Sequence, residues 1–557
     1  MNFNPADLVG VLPALILAAG ALVLLVSEVF LRTFSASASG PGPSQAKPAP
    51  PRPEVLGRAG GQPVSAAERA ETHLPHGAQG HSERPPQSDR RYQAWLAAVF
   101  AALGAWAAIA QLGDPAAPLF SGAAVSDGFA RVVAAVVCGA LVLSCFVSFG
   151  YLEALRATRG EFYALALFSA SGMCLLGQAT DLIVIFISLE VMSLAVYCLS
   201  AYLRRGQRPA EAAFKYFVLG SFASAIFLYG AALAYGATGS TRLADVANAV
   251  RLAASGGSPP AIATLLFAAA ALLAAGFAFK VAAVPFHMWV PDVYDGAPAP
   301  VTGFMAAAVK VAGFATLVRI LVGGFGDPAA ALGPHGWQTL VAWLAALTMI
   351  VGNLLAIPQR SVKRMLAYSS IAHAGYLLVA VAAMAGAGPR NDAVEGLVFY
   401  LAAYGATVIG AFGVVALLER KEALAGTGDD LASWGGLSER HPALAAAMTL
   451  FMVSLAGIPP TAGFMAKVTV FRAAVAADLT WLAVLGVLTS VAGLYYYLRV
   501  VVYVYMVPQT KPEVISGGYL VAAGIALAGC AALVLWMGIQ PDTFARMAQS
   551  ASTAFAR

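Results

Sequence analysis

What this chain lacks first is charge. Only 11% of its 557 residues are Asp, Glu, Lys or Arg, whereas 60% are hydrophobic and the mean hydropathy is +0.76. No soluble domain keeps that balance in solution, so the composition excludes a soluble enzyme and defines a polytopic membrane protein. Cysteine is scarce as well. Cys138, Cys145, Cys174, Cys198 and Cys530 stand singly in apolar stretches, without CxxC spacing or neighbouring histidines, and read as small core hydrophobes. An iron–sulfur cluster or structural zinc needs clustered ligands, and no GxGxxG fingerprint offers a dinucleotide site. No cofactor and no metal is therefore expected in this chain, and nothing points to nucleic acid. Nor does the start, MNFNPADLVG, have the basic region of a signal peptide, so the first apolar run is expected to stay as a helix.

What is present is apolar length. Runs of about 20 residues predict an all-α protein with about fourteen transmembrane helices, near 8–31, 92–112, 127–150, 160–177, 181–203, 209–237, 261–290, 300–322, 338–357, 363–385, 394–418, 441–472, 479–507 and 515–538. Residues 33–91 differ from the rest, being rich in Pro, Gly, Ser and charge without apolar periodicity, the composition of a disordered loop. His73, His76 and His81 fall in that tract and carry no metal-site reading. The expected order is a first helix (1–32), the loop (33–91), helices two and three (92–159), a five-helix bundle (160–322), a second one (323–507), and a last helix with its tail (508–557).

The net charge of +5 matters less than its placement, because Lys and Arg gather in cytoplasmic loops. With a periplasmic N-terminus, Arg156, Arg159, Arg204, Arg205, Arg208, Arg360, Lys363, Arg364, Arg420, Lys421 and Arg440 all fall in the cytoplasm. An even helix count then returns the C-terminus to the periplasm.

Two predicted helices are interrupted: 261–290 by Pro285 after Lys280, and 441–472 by Pro459 and Pro460 before Lys467. Breaks at membrane depth survive only inside protein or beside a wet cavity, and paired broken helices recur in transporters built from inverted repeats. The order of lysine and proline is reversed between the two, which is read here as the mark of an inverted pair of five-helix repeats.

Five charges stand inside apolar segments: Glu190, Lys215, Lys280, Lys310 and Lys467. Four mid-membrane lysines cost about 10–14 kcal/mol on insertion scales, on the order of a whole domain's stability. Charges retained at that cost mark function. Glu190 lies ~14 Å and ~21 Å from its helix ends at 1.5 Å per residue, and Lys215 follows on the next helix. The two are candidates for an ion pair, either a static clasp or a couple whose opening changes the lysine's hold on a proton. The couple is preferred, since static buried pairs are costly relative to apolar replacements.

Lys280 has no acidic residue near it in its own helix. Bringing an amine from a pKa near 10.4 to ~7 takes about 4.6 kcal/mol, and moving one proton against ~150 mV takes about 3.5 kcal/mol. The scales match, so buried lysines in changing surroundings can drive protons across. Lys310 lies ~15 Å into its helix, too deep to snorkel, and Lys467 has a setting like that of Lys280. A relay needs polar groups between them. His373 in AYSSIAHAGYLL comes first, because imidazole protonates reversibly near neutral pH. Ser369, Ser370, His287, Tyr376, Tyr400 and Tyr404 follow, and a merely structural core histidine is the alternative for His373.

The stretches FISLEVMSLAVYCLSAY, AAFKYFVLGSFASAIFLYGAALAYGATGS, PFHMWVPDVYDGAPAPVTGF, MLAYSSIAHAGY and LAGIPPTAGFMAKVTVF resemble signature segments of the antiporter-like subunits of respiratory complex I, the bacterial NADH–quinone oxidoreductase. The resemblance covers nearly everything but 33–91. Within the family it points to the subunit N branch. Position 467 is lysine where the M branch carries glutamate, and the chain stops soon after its last span where the L branch continues into a lateral helix.

The resemblance implies proton translocation coupled to quinone reduction elsewhere. It gives Glu190 and Lys215 a coupling role, Lys280 the central proton-carrying role, Lys310 a connecting role and Lys467 an exit role. It also implies that NADH, FMN, iron–sulfur clusters and quinone belong to partner subunits, that neighbouring antiporter-like subunits flank this one, and that the complex sits in a bacterial inner membrane. An Mrp-type sodium/proton antiporter or membrane-bound hydrogenase subunit is the alternative within this class. A passive membrane scaffold is the alternative outside it.

Overall fold

The computed structural model describes residues 4–38, 92–155, 157–203, 207–332, 336–386, 390–419, 430–508 and 520–555. Most of the expected loop 33–91, with its three histidines, lies outside the described residues. Twelve described helices are long and apolar enough to cross a membrane, and two shorter ones, Leu12–Glu28 and Pro442–Ala456, complete the expected fourteen.

In chain order the helices are α1 (Leu12–Ala38), α2 (Tyr92–Ala110), α3 (Gly128–Ala154), α4 (Gly160–Gln178), α5 (Leu182–Ser200), α6 (Gln207–Thr238), α7 (Leu243–Ala254), α8 (Pro260–Val281), α9 (Val290–Gly296) and α10 (Ala299–Gly324). Then come α11 (Trp337–Ala356), α12 (Val362–Ala383), α13 (Arg390–Leu418), α14 (Pro442–Ala456), α15 (Ala462–Ala476), α16 (Thr480–Met506), α17 (Leu520–Ile539) and α18 (Asp542–Ser552). Their starts follow from side chains that cap orphan N–H groups. Asp127 accepts from Ala130 N at 2.8 Å, Asp181 from Ile183 N at 2.8 Å and Ser361 from Arg364 N at 3.3 Å. Proline occupies the first turn of α8 and α14, where its missing N–H costs nothing.

Small elements escape a 20-residue apolar window, among them the short helices α7 and α18 and the hairpin of β1 (Ala117–Leu119) and β2 (Ala124–Ser126), paired antiparallel with Pro118 opposite Val125.

The first unit comprises α4, α5, α6, the broken pair α8–α9 and α10. The second comprises α11, α12, α13, the broken pair α14–α15 and α16. Each has five crossings with the fourth interrupted, and an odd number of crossings forces the second unit to enter from the opposite side. Inversion therefore comes from this count. It preserves chain direction, so Lys280 before one break and Lys467 after the other are a true difference between the units, not the mark of inversion the sequence reading took them for.

Each break begins with a left-handed residue, Ala282 (φ 66°) after α8 and Gly457 (φ 81°) after α14. Backbone groups freed at this depth need partners. Val284 N donates to Thr348 Oγ1 on α11 at 2.9 Å, and the Phe279 carbonyl accepts from Trp289 Nε1 at 3.1 Å.

Buried ion pairs hold the ends. Arg319 donates to both Asp127 oxygens at 2.7 and 3.1 Å and to the Gly177 carbonyl at 2.6 Å, with its guanidinium against the touching rings of Phe129 and Phe555. Lys363 pairs with Glu419 at 2.9 Å and donates to the Ala297 carbonyl at 2.8 Å. Helix α10 is enclosed by protein along its whole crossing and α12 along nearly all of it, while α6 and α16 turn Phe214, Phe222, Leu488 and Val491 outward. The polar residues of α10 and α12 are thus shielded from lipid.

Candidate functional site

Lys280 stands at the end of α8, just before the break. Its Nζ donates to Ser193 Oγ at 2.9 Å and Tyr197 OH at 3.0 Å, both on α5. Ser193 Oγ is committed as a donor to the Leu189 carbonyl at 2.5 Å, so it accepts from the lysine, whereas the Tyr197 hydroxyl is free to accept or donate. Glu190, Ser193 and Tyr197 share one face of α5 at i, i+3 and i+7. Glu190 is therefore one turn, ~4.5 Å of rise, from the hydroxyl that holds Lys280. Its Oε1 is buried without a hydrogen-bond partner among the described residues.

The expected contact between Glu190 and Lys215 is absent. Helices α5 and α6 are joined by a short link and run antiparallel, with the Tyr197 and Tyr216 rings 4.7 Å apart. That register sets Lys215 level with Cys198, about eight residues or ~12 Å along the axis from Glu190, beyond the reach of either side chain. Lys215 instead bonds Asp292 at 2.8 Å and Glu211 at 2.7 Å, and its side chain is 40% exposed. Sequence reasoning missed Asp292 because it counted the stretch after Pro285 as the tail of a continuous helix rather than a separate segment, α9, folded back against α6 and α12.

Lys310 occupies the enclosed α10, between two π-helical turns, Met305–Val309 and Arg319–Gly324. Such turns interrupt the i→i+4 ladder and recur at functional sites. Its Nζ bonds the Ser370 carbonyl and, at 2.6 Å, Ser370 Oγ, and lies 5.1 Å from the Tyr404 ring centre. The Lys280 stem is close by: a Cβ added at Gly313, one turn beyond Lys310, would lie 3.8 Å from Lys280 Cβ.

Three residues past Ser370, His373 is sealed inside the protein. Nδ1 meets Tyr400 OH at 2.7 Å and Nε2 meets Tyr497 OH at 3.2 Å. Tyr497 also shares a hydrogen bond with Ser369 Oγ. The imidazole lies 4.9 Å from the Tyr404 ring and 5.6 Å from the Tyr376 ring. Tyr376 OH accepts from Asn353 Nδ2 at 3.0 Å, and Asn353 Oδ1 accepts from Tyr496 OH at 3.0 Å.

Lys467 closes the row, with Nζ 5.2 Å from the Tyr376 ring centre. It donates to the Leu455 and Ala456 carbonyls at 2.9 Å each and to Ser490 Oγ at 2.7 Å. Those carbonyls end α14, where the helix leaves them without intrahelical donors. Gly457 makes room, since a Cβ there would stand 2.8 Å from Lys467 Cδ.

The structure thus brings Lys310, Ser369, Ser370, His373, Tyr376, Tyr400, Tyr404 and Lys467 together, with Lys280 against the near end. It sets Lys215 apart, and leaves His287 in the first break with its Nδ1 buried and unpartnered among the described residues. Ser193, Tyr197, Asn353, Ser490 and Tyr497 were missed. For the first two a signal existed, their spacing from Glu190; for the others only the packing of α11 and α16 reveals it.

An enclosed row of amines, hydroxyls and an imidazole between two inverted units, each with a broken fourth helix, defines an antiporter-like membrane subunit. Residues 179–493 match the family described as NADH:quinone oxidoreductase/Mrp antiporter, TM. The chain is 42% identical to NADH-quinone oxidoreductase subunit N of Myxococcus xanthus, with all of this chain and 99% of that relative covered. It is 49% identical to subunit N 1 of Sorangium cellulosum over 75% of this chain and 81% of the relative. A chain of respiratory complex I from Thermus thermophilus with bound aureothin superposes with a TM-score of 0.67 at 34% identity, over 82% of this chain and 94% of that one. A chain of the Mrp complex from Dietzia sp. shares the fold, with a TM-score of 0.70 at 20% identity over 84% and 93% of the two chains. The protein belongs to the NADH-quinone oxidoreductase subunit N family.

Proposed function

We propose that this chain carries protons through the membrane arm of NADH-quinone oxidoreductase, along Lys280, Lys310, His373 and Lys467, driven by quinone reduction in other subunits. The observation that carries this reading is the row itself: two buried amines are linked to a sealed imidazole by different groups, Lys310 through Ser370 and Tyr404 and Lys467 through Tyr376. A static brace has no use for successive groups that each accept and release a proton.

Glu190, one turn along α5 from the Ser193 hydroxyl that holds Lys280, acts on that lysine and not on Lys215. A nearby carboxylate favours the charged form of an amine, so a change at Glu190 is what lets Lys280 give up its proton. The amine passes it toward Lys310, and His373 relays it to Lys467, beside the second break. NADH, FMN, iron–sulfur clusters and quinone reside in partner subunits, and this chain performs no redox step. The complex lies in the bacterial inner membrane, flanked here by other antiporter-like subunits, with both termini of this chain periplasmic.

The test is Lys280→Met in the whole complex, with NADH-driven proton uptake measured in inverted vesicles beside complex content. Lost uptake with normal content is expected. Unchanged uptake supports a passive scaffold instead, and loss of uptake on removing sodium supports an Mrp-like exchange.

A further inference from the structure

The proton row leaves unused the charges at the seam between the two units. Glu211 and Lys215 on α6, Asp292 on α9 and Arg364 on α12 alternate in sign. Lys215 bonds Glu211 at 2.7 Å and Asp292 Oδ2 at 2.8 Å, while Asp292 Oδ1 accepts from Arg364 Nη1 at 3.0 Å. One carboxylate thus holds a cation from each unit. It stands on the short segment α9, downstream of the first break, so a shift of that segment relative to Lys280 moves Asp292 as well. Beside it, Asp295 accepts from Ser361 Oγ at 3.1 Å and faces Arg208 at 3.8 Å, a second link of α9 to both units.

Burial separates what opens from what does not. Lys363 and Glu419, next to this array, have side chains only 2% exposed, and breaking such a pair strands a charge in protein. Lys215, Asp292 and Arg364 are 40%, 38% and 34% exposed, and pairs in contact with water are weakly held. The seam has a fixed clasp and, one residue along α12, a labile one.

We propose that Asp292 is a positioning residue that couples the two units: Lys215 and Arg364 share its carboxylate, and movement of α9 at the first break changes how that carboxylate is divided between them. This rests on the lysine row being the proton path, but concerns residues outside it. When α9 shifts toward α6, Lys215 gains the carboxylate and Arg364 is released, which changes the charge facing α12, the helix that carries Ser370 and His373. No bond is made or broken; only ion pairs exchange.

The test uses the assembled complex in inverted vesicles, with protons pumped per NADH oxidised, redox rate with uncoupler, and complex content all measured. Asp292→Asn and Arg364→Gln are each expected to lower the proton-to-NADH ratio at least twofold with content and uncoupled redox rate retained, and Asp292→Glu to restore most of the ratio. A wild-type ratio in both assembled variants overturns the proposal, as does failure of both to assemble, which makes the seam a structural clasp only. If Asp292→Asn alone fails to assemble, Arg364→Gln decides. Lys280→Met, measured alongside, judges the proton row separately, since its loss of uptake stands whatever the seam variants do.

Discussion

The two lysines beside the helix breaks are held in different ways. Lys280 sits before its break, on hydroxyls of a neighbouring helix, Ser193 and Tyr197. Lys467 sits after its break, on the two carbonyls that the break itself strands, with Ser490 as a third partner. A hydroxyl can accept from an ammonium or donate to a neutral amine, whereas a carbonyl only accepts. The first site can follow its lysine through both protonation states by rotating one hydroxyl. The second ties its lysine to the integrity of a helix end. Two such sites in units of the same five-helix plan show that a broken helix supplies either a place for an amine or the ligands for one.

The largest expected effect asks whether both amines titrate. Lys280→Arg and Lys467→Arg keep the charge but cannot lose it, and each is expected to slow proton uptake by about a hundredfold or more, the scale of a positioned proton-transfer group. If only Lys280→Arg blocks uptake in vesicles, the carbonyl-bound Lys467 is a fixed cation and the comparison sharpens into one carrier and one anchor.

Thr348→Val removes the acceptor for Val284 N while keeping its shape. An unsatisfied buried N–H costs about 1–3 kcal/mol, so a lower melting temperature of the complex is expected, and an unchanged one would show that the first break needs no support from the second unit. At the left-handed positions, Gly457→Ala is expected to cost ~1–2 kcal/mol for the backbone alone, with more from the clash with Lys467. Ala282→Gly, already left-handed, should change stability by less than ~1 kcal/mol. Thermal unfolding of the two variants, compared directly, tests whether the breaks differ as described.

The smallest effects fall on single hydrogen bonds. Tyr197→Phe removes the one adaptable partner of Lys280, and a bond of ~0.5–1.5 kcal/mol corresponds to about a two- to tenfold slower uptake. Ser490→Ala leaves Lys467 both carbonyls, so its expected effect on uptake is at the low end of the same scale, about twofold. Equal effects would erase the distinction between the sites.

The crossings were legible because a 20-residue apolar run has few other solutions, and Pro285, Pro459 and Pro460 announced where two of them break. The lysines were legible because charge in such runs is costly. Pairing was not. Glu190 and Lys215 look like neighbours because their helices are consecutive, yet the antiparallel register moves them apart, while Ser193, one turn from Glu190, holds Lys280 from a later helix. Asp292 was hidden for a related reason: its role depends on where α9 folds after the break, and no periodicity records that. Tyr497 and Ser490, on α16, reach the row only through packing across the second unit.

Helix α10 carries both Lys310 and Arg319 and faces no lipid, which constrains how the protein is made. As it leaves the ribosome, Arg319 can find Asp127 and the Gly177 carbonyl at once, because both are upstream in the chain. Lys310 has to wait for Ser370, sixty residues later. Biogenesis therefore has to shelter one unmatched amine, and the arginine upstream helices already hold gives the nascent segment its first hold inside the membrane.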